Sequence, residues 1–207
     1  MAQAQSSTTV LPPTTLAHIV LKSPNFTSMV AWYKAALGAR ASYENPVMSF
    51  LTYDHEHHRV AIVNLPQSQT AKDRMLAAGL EHIAFTYPTL KDLVAAYKQR
   101  KALGIVPVWC VNHGPTTSMY YQDPDGNKIE FQVDAFKTAE EATAYFTSPD
   151  FAENPIGVDF DPEDLARKVE SGEDEEQLLE RANIGPRGID SVPHPPPPIA
   201  QYPNAYV

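Results

Sequence analysis

The sequence predicts an α+β fold made of two tandem βαβββ modules. Two pairs of matching segments support this prediction: LAHI at 16–19 recurs as LEHI at 80–83, and MVAWYK at 29–34 recurs as LVAAYK at 93–98. Both pairs are separated by 64 residues, so a strand-like start and a helix-like continuation repeat as one unit. A repeat of this kind indicates a duplicated module.

The first module is predicted to span residues 16–65. Its apolar run at 16–21 has the composition of a strand, and residues 26–37 carry apolar side chains at helical spacing until Gly38 ends the helix. Three further strands are expected at 39–43, 48–52 and 59–64. A histidine-rich turn at 54–58 separates the last two strands, so the order is βαβββ.

The second module is predicted to span residues 80–134 and repeats this order. Its first strand is expected at 80–87, and Thr89 is a suitable N-cap for a helix that runs to about Leu103, where Gly104 follows. Three strands complete the module, at 106–111, 117–122 and 128–133. The turn sequence DPDG joins the last two strands.

The modules are predicted to form one domain over 16–136, between a flexible N-terminal arm at 1–15 and an extension at 137–207. The extension holds 15 of the 25 Asp and Glu residues but only 5 of the 16 Lys and Arg residues. Helices are expected at 162–171 and 174–182, followed by a proline-rich, polyproline-like segment. The extension is predicted to wrap on the domain or on a partner subunit, with a signalling Pro-rich ligand as the alternative.

The composition argues against several classes of function. The domain that precedes the extension is nearly neutral and has no basic stripe, so nucleic acid is not expected as a partner. No run approaches the roughly 20 apolar residues of a membrane span. Cys110 is the only cysteine, which excludes an intramolecular disulfide and favours a reducing, cytoplasmic location. A small neutral or weakly charged substrate is expected instead.

Three residues form a candidate metal site. His18 and His82 hold equivalent positions in the two copies, and aligning the last strands places Ala61 against Glu130. Two imidazoles and one carboxylate leave coordination positions open, which suits mononuclear Fe(II) or Mn(II). Taken singly, each of these residues is more often structural, but the histidines occupy matched places in a duplication and the glutamate lies on the last strand of the same module architecture.

The two His-Ile strand starts, together with YYQDPDGNKIEF at 120–131, make residues 16–134 resemble the vicinal oxygen chelate superfamily. This group includes glyoxalases, fosfomycin-resistance proteins and type I extradiol dioxygenases. The resemblance implies paired βαβββ modules that form a curved mixed sheet with the metal inside it. Ala61 weakens the likeness to members with four protein ligands, such as glyoxalase I.

The likeness to extradiol dioxygenases implies further site residues. Tyr120 lies ten residues before Glu130, as a tyrosine of that group does, and is expected to hydrogen-bond the metal-bound substrate oxygen. His58 is expected to act as the acid/base, with His57 as the alternative. His113 is a possible contact to the substrate or to a residue that binds it.

The function predicted from the sequence is therefore that of an extradiol dioxygenase, which uses Fe(II), or Mn(II), and dioxygen to open a catechol-type ring. One alternative is a glyoxalase-like or fosfomycin-resistance-like transferase or isomerase that uses a metal. Another is a metal-free binding protein of the bleomycin-resistance type, although such a protein has no need of three ligand residues. A homodimer or higher homo-oligomer is expected, because a single curved sheet leaves edges and apolar faces to cover.

Overall fold

The computed structural model describes residues 10–74 and 76–194, and the first module has the predicted βαβββ order. Its elements are β1 (Ile19–Ser23), α1 (Phe26–Leu37), β2 (Arg40–Glu44), β3 (Met48–Thr52) and β4 (Val60–Asn64). They form a sheet of order β1-β4-β3-β2, in which β1 and β4 are parallel and the other neighbours antiparallel. Gly38 ends α1 with a φ of 60°, a left-handed conformation that suits glycine.

The second module repeats this arrangement. Its elements are β5 (His82–Thr86), α2 (Leu90–Ala102), β6 (Trp109–Asn112), β7 (Thr116–Gln122) and β8 (Lys128–Asp134). The strands are ordered β5-β8-β7-β6, with β5 and β8 parallel. Strand β6 begins at Trp109 rather than at residue 106, because Pro107 has no N–H to donate to the ladder. The α+β prediction is confirmed, with the strands divided between two mixed sheets.

The two helices lie on the core side of their sheets. Helix α1 packs on β3 and β4, and α2 packs on β8. The helices also meet, since the buried Arg100 donates a hydrogen bond from Nε to the Ala36 carbonyl oxygen at 2.8 Å. Apolar side chains of both modules form one core cluster. The opposite faces of the sheets are therefore left for the functional site.

The extension packs on the second module. Its elements are α3 (Ala139–Tyr145), α4 (Pro149–Glu153), β9 (Val158–Asp159), α5 (Pro162–Ser171), α6 (Glu175–Leu179) and a 3-10 turn (Ile189–Ser191). Strand β9 pairs antiparallel with β6 and becomes the fifth strand of the second sheet. Helix α5 packs on α2, and its Leu165 and Ala166 join the core. Helix α5 has its predicted bounds, whereas α6 is shorter than the predicted 174–182.

Residues 1–9, 75 and 195–207 lie outside the described part of the chain. The predicted polyproline-like segment falls mostly there, as does most of the N-terminal arm. None of the helices in the described part is both long and apolar enough to cross a membrane.

Candidate active site

Strands β7 and β8 place a tyrosine and a glutamate side by side. Their antiparallel register pairs Tyr120 with Glu130, and these residues are only 4% and 3% exposed. Side chains alternate along a strand, so the neighbouring Tyr121 points the other way and packs in the core. Tyr120 and Glu130 therefore share the face that points away from the helices.

His82, the first residue of β5, reaches Glu130 because β5 is the parallel neighbour of β8. Its Nε2 lies 3.0 Å from Glu130 Oε2, and its Nδ1 contacts the Glu81 carboxylate. Hydrogen bonds to Glu130 and Glu81 raise the pKa of His82 to about 9. Burial alone would raise the pKa of Glu130, but hydrogen bonds from groups that include His82 and Ser118 lower it. The pair is thus an imidazolium and a carboxylate.

His113 and Trp109 flank Tyr120. His113 Nε2 lies 2.9 Å from the Tyr120 hydroxyl, and His113 Nδ1 contacts the carbonyl oxygen of Ile156 in the extension. The Trp109 ring stacks on Tyr120 with the centroids 4.9 Å apart. Burial lowers the pKa of His113, and burial together with the charge of Glu130 raises the pKa of Tyr120 well above its ordinary value. A neutral imidazole therefore faces a protonated phenol.

Three histidines of the first module form a second cluster. The ring centroid of His18 lies 4.2 Å from that of His58 and 6.4 Å from that of His57. His58 is buried and stacks on Phe50 with the centroids 4.7 Å apart, whereas His57 is exposed. Burial and the two neighbouring imidazoles lower the pKa of His58. His58 is therefore held as a neutral ring near pH 7.

The structure brings His82 and Glu130 together but places His18 against His58. Among the described residues, no group of three or more His, Cys, Asp or Glu side chains is arranged to hold a metal ion. A small cavity lies between β1 and β5, so the strands next to His18 and His82 are neighbours. The residue types still suit Fe(II) or Mn(II), although His18 lies against the ring of His58.

A cavity of about 670 Å³ opens beside Tyr120. It lies between the linker that joins the modules and the extension, over the site face of the second sheet. Its lining includes Trp109, His113, Lys128, Ile156, Ile189 and Val192. The volume and the mainly apolar lining suit a small aromatic molecule, and the polar groups of the lining can orient it.

Two neighbours of the site were not predicted from the sequence. The sequence could have identified Glu81, because the first copy of the repeat has Ala17 at the equivalent position. It could not have identified the carbonyl of Ile156, since its contact with His113 depends on how the extension folds back on the second module.

Comparison with known proteins gives a family and two similar relatives. The sequence model of the Glyoxalase/Bleomycin resistance protein/Dioxygenase superfamily matches residues 15–131, which is more than half of the chain. Biphenyl-2,3-diol 1,2-dioxygenase 3 of Rhodococcus globerulus is 46% identical over 167 residues, covering 81% of this chain and 88% of the relative. Biphenyl-2,3-diol 1,2-dioxygenase 2 of the same organism is 40% identical over 183 residues, covering 88% of this chain and 94% of the relative.

A solved structure agrees with the fold. The crystal structure of the glyoxylase/bleomycin resistance protein/dioxygenase domain from Frankia sp. EAN1pec superposes with a TM-score of 0.51 at 14% identity. The match covers 63% of this chain and 98% of the Frankia domain. At this identity the likeness concerns the fold alone.

Proposed function

The chain belongs to the Glyoxalase/Bleomycin resistance protein/Dioxygenase superfamily, and we propose that it is an extradiol dioxygenase. It opens the ring of a catechol-type aromatic with dioxygen, at the bond next to the two hydroxylated carbons. The observation that carries the proposal is the His82–Glu130 pair, in which the carboxylate is buried, with Tyr120 beside Glu130 on the wall of a cavity. This arrangement combines metal-binding groups with a hydroxyl that can hydrogen-bond a substrate oxygen.

The proposed metal is Fe(II), with Mn(II) as a possible substitute. His82 and Glu130 would be two of its ligands, and His18, directly before β1, would be the third. When bound, the metal supplies the positions at which a catecholate and dioxygen come together. Imidazole binds a metal only in its neutral form, so His82 has to give up the proton that Glu81 and Glu130 stabilise.

Three side chains are proposed to act on the substrate. His58 takes a proton from a catechol hydroxyl and later returns one, a role that its neutral ring and lowered pKa support. Tyr120 hydrogen-bonds a substrate oxygen, since its burial keeps the phenol protonated. His113 contacts the Tyr120 hydroxyl and lines the same cavity, so it is placed to touch the substrate or to orient Tyr120.

The proposed substrate class is a catechol with an aryl substituent. The cavity of about 670 Å³ is larger than a single ring requires, and Trp109, Ile189 and Val192 give it apolar walls. Both Rhodococcus relatives are named for biphenyl-2,3-diol, a catechol that carries a second ring. The substituent is expected to lie against the apolar walls.

A homodimer or higher homo-oligomer is also proposed. The first sheet leaves Val20 and Tyr43 exposed, and every residue of its edge strand β2 is exposed. Exposed apolar side chains beside an uncovered strand edge favour association with a second copy. Sedimentation velocity at micromolar concentration tests this proposal, and a single monomeric species would contradict it.

The activity test uses the purified full chain. The protein is loaded with Fe(II) without oxygen, and catechol or 2,3-dihydroxybiphenyl is then added in air. We expect a yellow ring-opened product in which mass spectrometry finds both atoms of ¹⁸O₂. Bound iron without product from a panel of catechols would show that the protein is not an extradiol dioxygenase.

Histidine and glutamate variants separate the metal ligands from the proposed acid/base. His82→Ala and Glu130→Ala should lose iron, and His18→Ala should do so if it is the third ligand. His58→Ala should keep iron and lower kcat by roughly 10²-fold or more, because a positioned general acid/base is lost. The control is His55→Ala, an exposed residue of the same turn, which should retain activity. Normal turnover by His58→Ala would contradict the acid/base role.

A further inference from the structure

The extension passes very close to the backbone that carries His113. Gly157 has a φ of +112°, and a Cβ added to it would lie 2.3 Å from the Asn112 carbonyl oxygen and 2.8 Å from His113 Cα. Any other residue at this position would push the two chain segments apart. The contact therefore depends on glycine at position 157, and the extension clamps the segment that follows β6.

Asn154 fixes the backbone of the segment that contains Gly157. Its buried side chain accepts hydrogen bonds at Oδ1 from the N–H groups of Ile156, at 3.2 Å, and Gly157, at 2.7 Å. Its Nδ2 donates to the Gly157 carbonyl oxygen at 3.1 Å, and Arg181 donates to the Asn154 carbonyl oxygen at 2.6 Å. Residues 154–157, here called the Asn154 turn, are thus fixed, and they present the Ile156 carbonyl to the second sheet.

That carbonyl determines which nitrogen of His113 carries the proton. A carbonyl oxygen only accepts hydrogen bonds, so the Nδ1 that contacts Ile156 must be the donor. In a neutral ring the other nitrogen is then an acceptor. His113 Nε2 can therefore accept the hydrogen bond of the Tyr120 hydroxyl, 2.9 Å away.

We propose that the Asn154 turn is a positioning element of the active site. It fixes His113 as the Nδ1–H tautomer and so directs the Tyr120 hydroxyl proton towards His113 Nε2. This inference rests on the proposed dioxygenase function, in which Tyr120 contacts the substrate. Asn154, Ile156 and Gly157 act through His113 and are not themselves catalytic residues.

The tautomer matters because Tyr120 has a second possible acceptor. Glu130 also lies within hydrogen-bonding reach of the Tyr120 hydroxyl, and one phenolic proton cannot serve two acceptors fully. If His113 turned its Nε2–H towards Tyr120, the phenol would have to donate to Glu130. With Nδ1–H held by Ile156, His113 Nε2 competes with Glu130 for the hydroxyl proton, which weakens the hydrogen bond from Tyr120 to that carboxylate.

Two glycine variants test the positioning role in the full-length, iron-loaded protein. Gly157→Ala should lower kcat for ring cleavage by about tenfold or more, with a smaller change in KM. Gly172→Ala is the matched control, because Gly172 also has a positive φ, +81°, but a Cβ there meets nothing within 4 Å. Its kcat should stay within about twofold of the wild type, since it carries comparable backbone strain away from His113.

The tautomer itself is measured on the purified full chain, before iron is added, by two-bond ¹H–¹⁵N correlation of histidine rings. We expect an Nδ1–H signal that disappears in His113→Gln and shifts towards Nε2–H in Gly157→Ala, but not in Gly172→Ala. An unchanged His113 tautomer in Gly157→Ala would overturn the proposal, whatever happens to kcat. If the wild type cleaves no ring but Gly157→Ala still shifts the tautomer, the proposed function is wrong and the positioning role stands.

Asn154 variants give a second route if Gly157→Ala does not fold. Asn154→Ala removes both acceptor contacts of the turn and should reproduce the loss of kcat and the change of tautomer. Asn154→Asp keeps the oxygen that accepts from Ile156 and Gly157 but replaces the amide that donates to the Gly157 carbonyl oxygen, so it should restore only part of both. A wild-type tautomer and a wild-type kcat in Asn154→Ala would overturn the proposal.

Discussion

His82 is held by two carboxylates while the neighbouring His113 is not, and the two rings differ in charge accordingly. Glu130 and Glu81 raise the pKa of His82 to about 9, whereas burial lowers that of His113. In the proposed metal site, the imidazolium of His82 stands where a ligand is required. Metal binding therefore competes with a proton at His82.

This competition predicts how Fe(II) affinity depends on pH. Between about pH 6.5, the ordinary pKa of histidine, and about pH 9, the dissociation constant should fall by roughly tenfold for each pH unit, because one proton leaves His82 for each ion bound. Glu81→Gln removes one of the two groups that raise this pKa. The variant should therefore reach its pH-independent Fe(II) affinity at a lower pH than the wild type.

Competition with a chelator under anaerobic conditions measures these constants. Glu44→Gln is the control, because it breaks a surface ion pair with Lys34 away from the site. Equal dissociation constants at pH 7 and pH 9 in the wild type would contradict the assignment of His82 as a ligand that must first lose a proton.

Tyr120 and Tyr121 offer a matched pair of hydroxyl deletions. Tyr120→Phe keeps the stack on Trp109 but removes the oxygen that His113 contacts, so kcat/KM should fall by about 10- to 100-fold. Tyr121→Phe removes a core hydroxyl that lies 3.9 Å from Met119 Sδ. It should leave kcat/KM within about twofold and cost at most about 1.5 kcal/mol of stability. Similar losses of activity in both variants would show that the site face was wrongly assigned.

At the scale of elements, the two modules are joined through helix α1 and the turn between β7 and β8. The Tyr33 hydroxyl donates to Asp123 Oδ2 at 3.1 Å, and Asn25 Nδ2 donates to Asp125 Oδ1 at 2.8 Å. Burial raises the pKa of Asp123 to about 6, although hydrogen bonds from Asn127 and Tyr33 oppose the shift. The joint between the modules thus contains a carboxyl group that titrates near pH 6.

The sign of this shift makes stability depend on pH at the joint. Because the folded pKa is above 3.8, the stability due to Asp123 is fully present below about pH 3.8 and declines as the pH rises through about 6. Tyr33→Phe removes a hydrogen bond to the ionised form, so it should destabilise the protein by about 1 kcal/mol or more at pH 8 and by less at pH 5. Urea unfolding at the two pH values measures the difference.

Tyr97→Phe is the control for this experiment. The Tyr97 hydroxyl donates to Glu163, whose pKa is lowered chiefly by the Lys101 ion pair, so that carboxylate is ionised at both pH values. The loss of stability in Tyr97→Phe should therefore be the same at pH 5 and pH 8. A constant difference for Tyr33→Phe as well would show that Asp123 does not titrate in this range.

The sequence predicted the elements whose cause is local and missed those set by distant contacts. Helix α1 has the predicted bounds because its apolar spacing and Gly38 are both local signals. Strand β9 consists of two residues and forms only because it pairs with the free edge of β6, so no local sequence pattern predicts it. Likewise, the position of Glu130 opposite Tyr120 follows from strand spacing, whereas the contact of His18 with His58 depends on how the histidine-rich turn folds.

At the scale of the whole molecule, the extension acts as a third layer over the second module. Helix α5 covers α2, with ion pairs Lys98–Glu170 and Lys101–Glu163 at the rim of the contact. Cys110 is buried in the core cluster that Leu165 of α5 also joins. Burial raises the pKa of the Cys110 thiol to about 12. The only cysteine of the chain is therefore a natural reporter of whether this layer opens.

Thiol labelling in native buffer at pH 8 can show whether the extension opens as a unit. Wild-type Cys110 should react slowly, because the thiol is both buried and protonated. Leu165→Ala removes a core contact of α5 worth about 2–5 kcal/mol and should speed labelling by more than about tenfold. Leu51→Ala in the first module is the control, since it costs similar stability without loosening α5. Equal acceleration by both variants would mean that Cys110 is reached only through global unfolding and that the extension does not open separately from the rest of the fold.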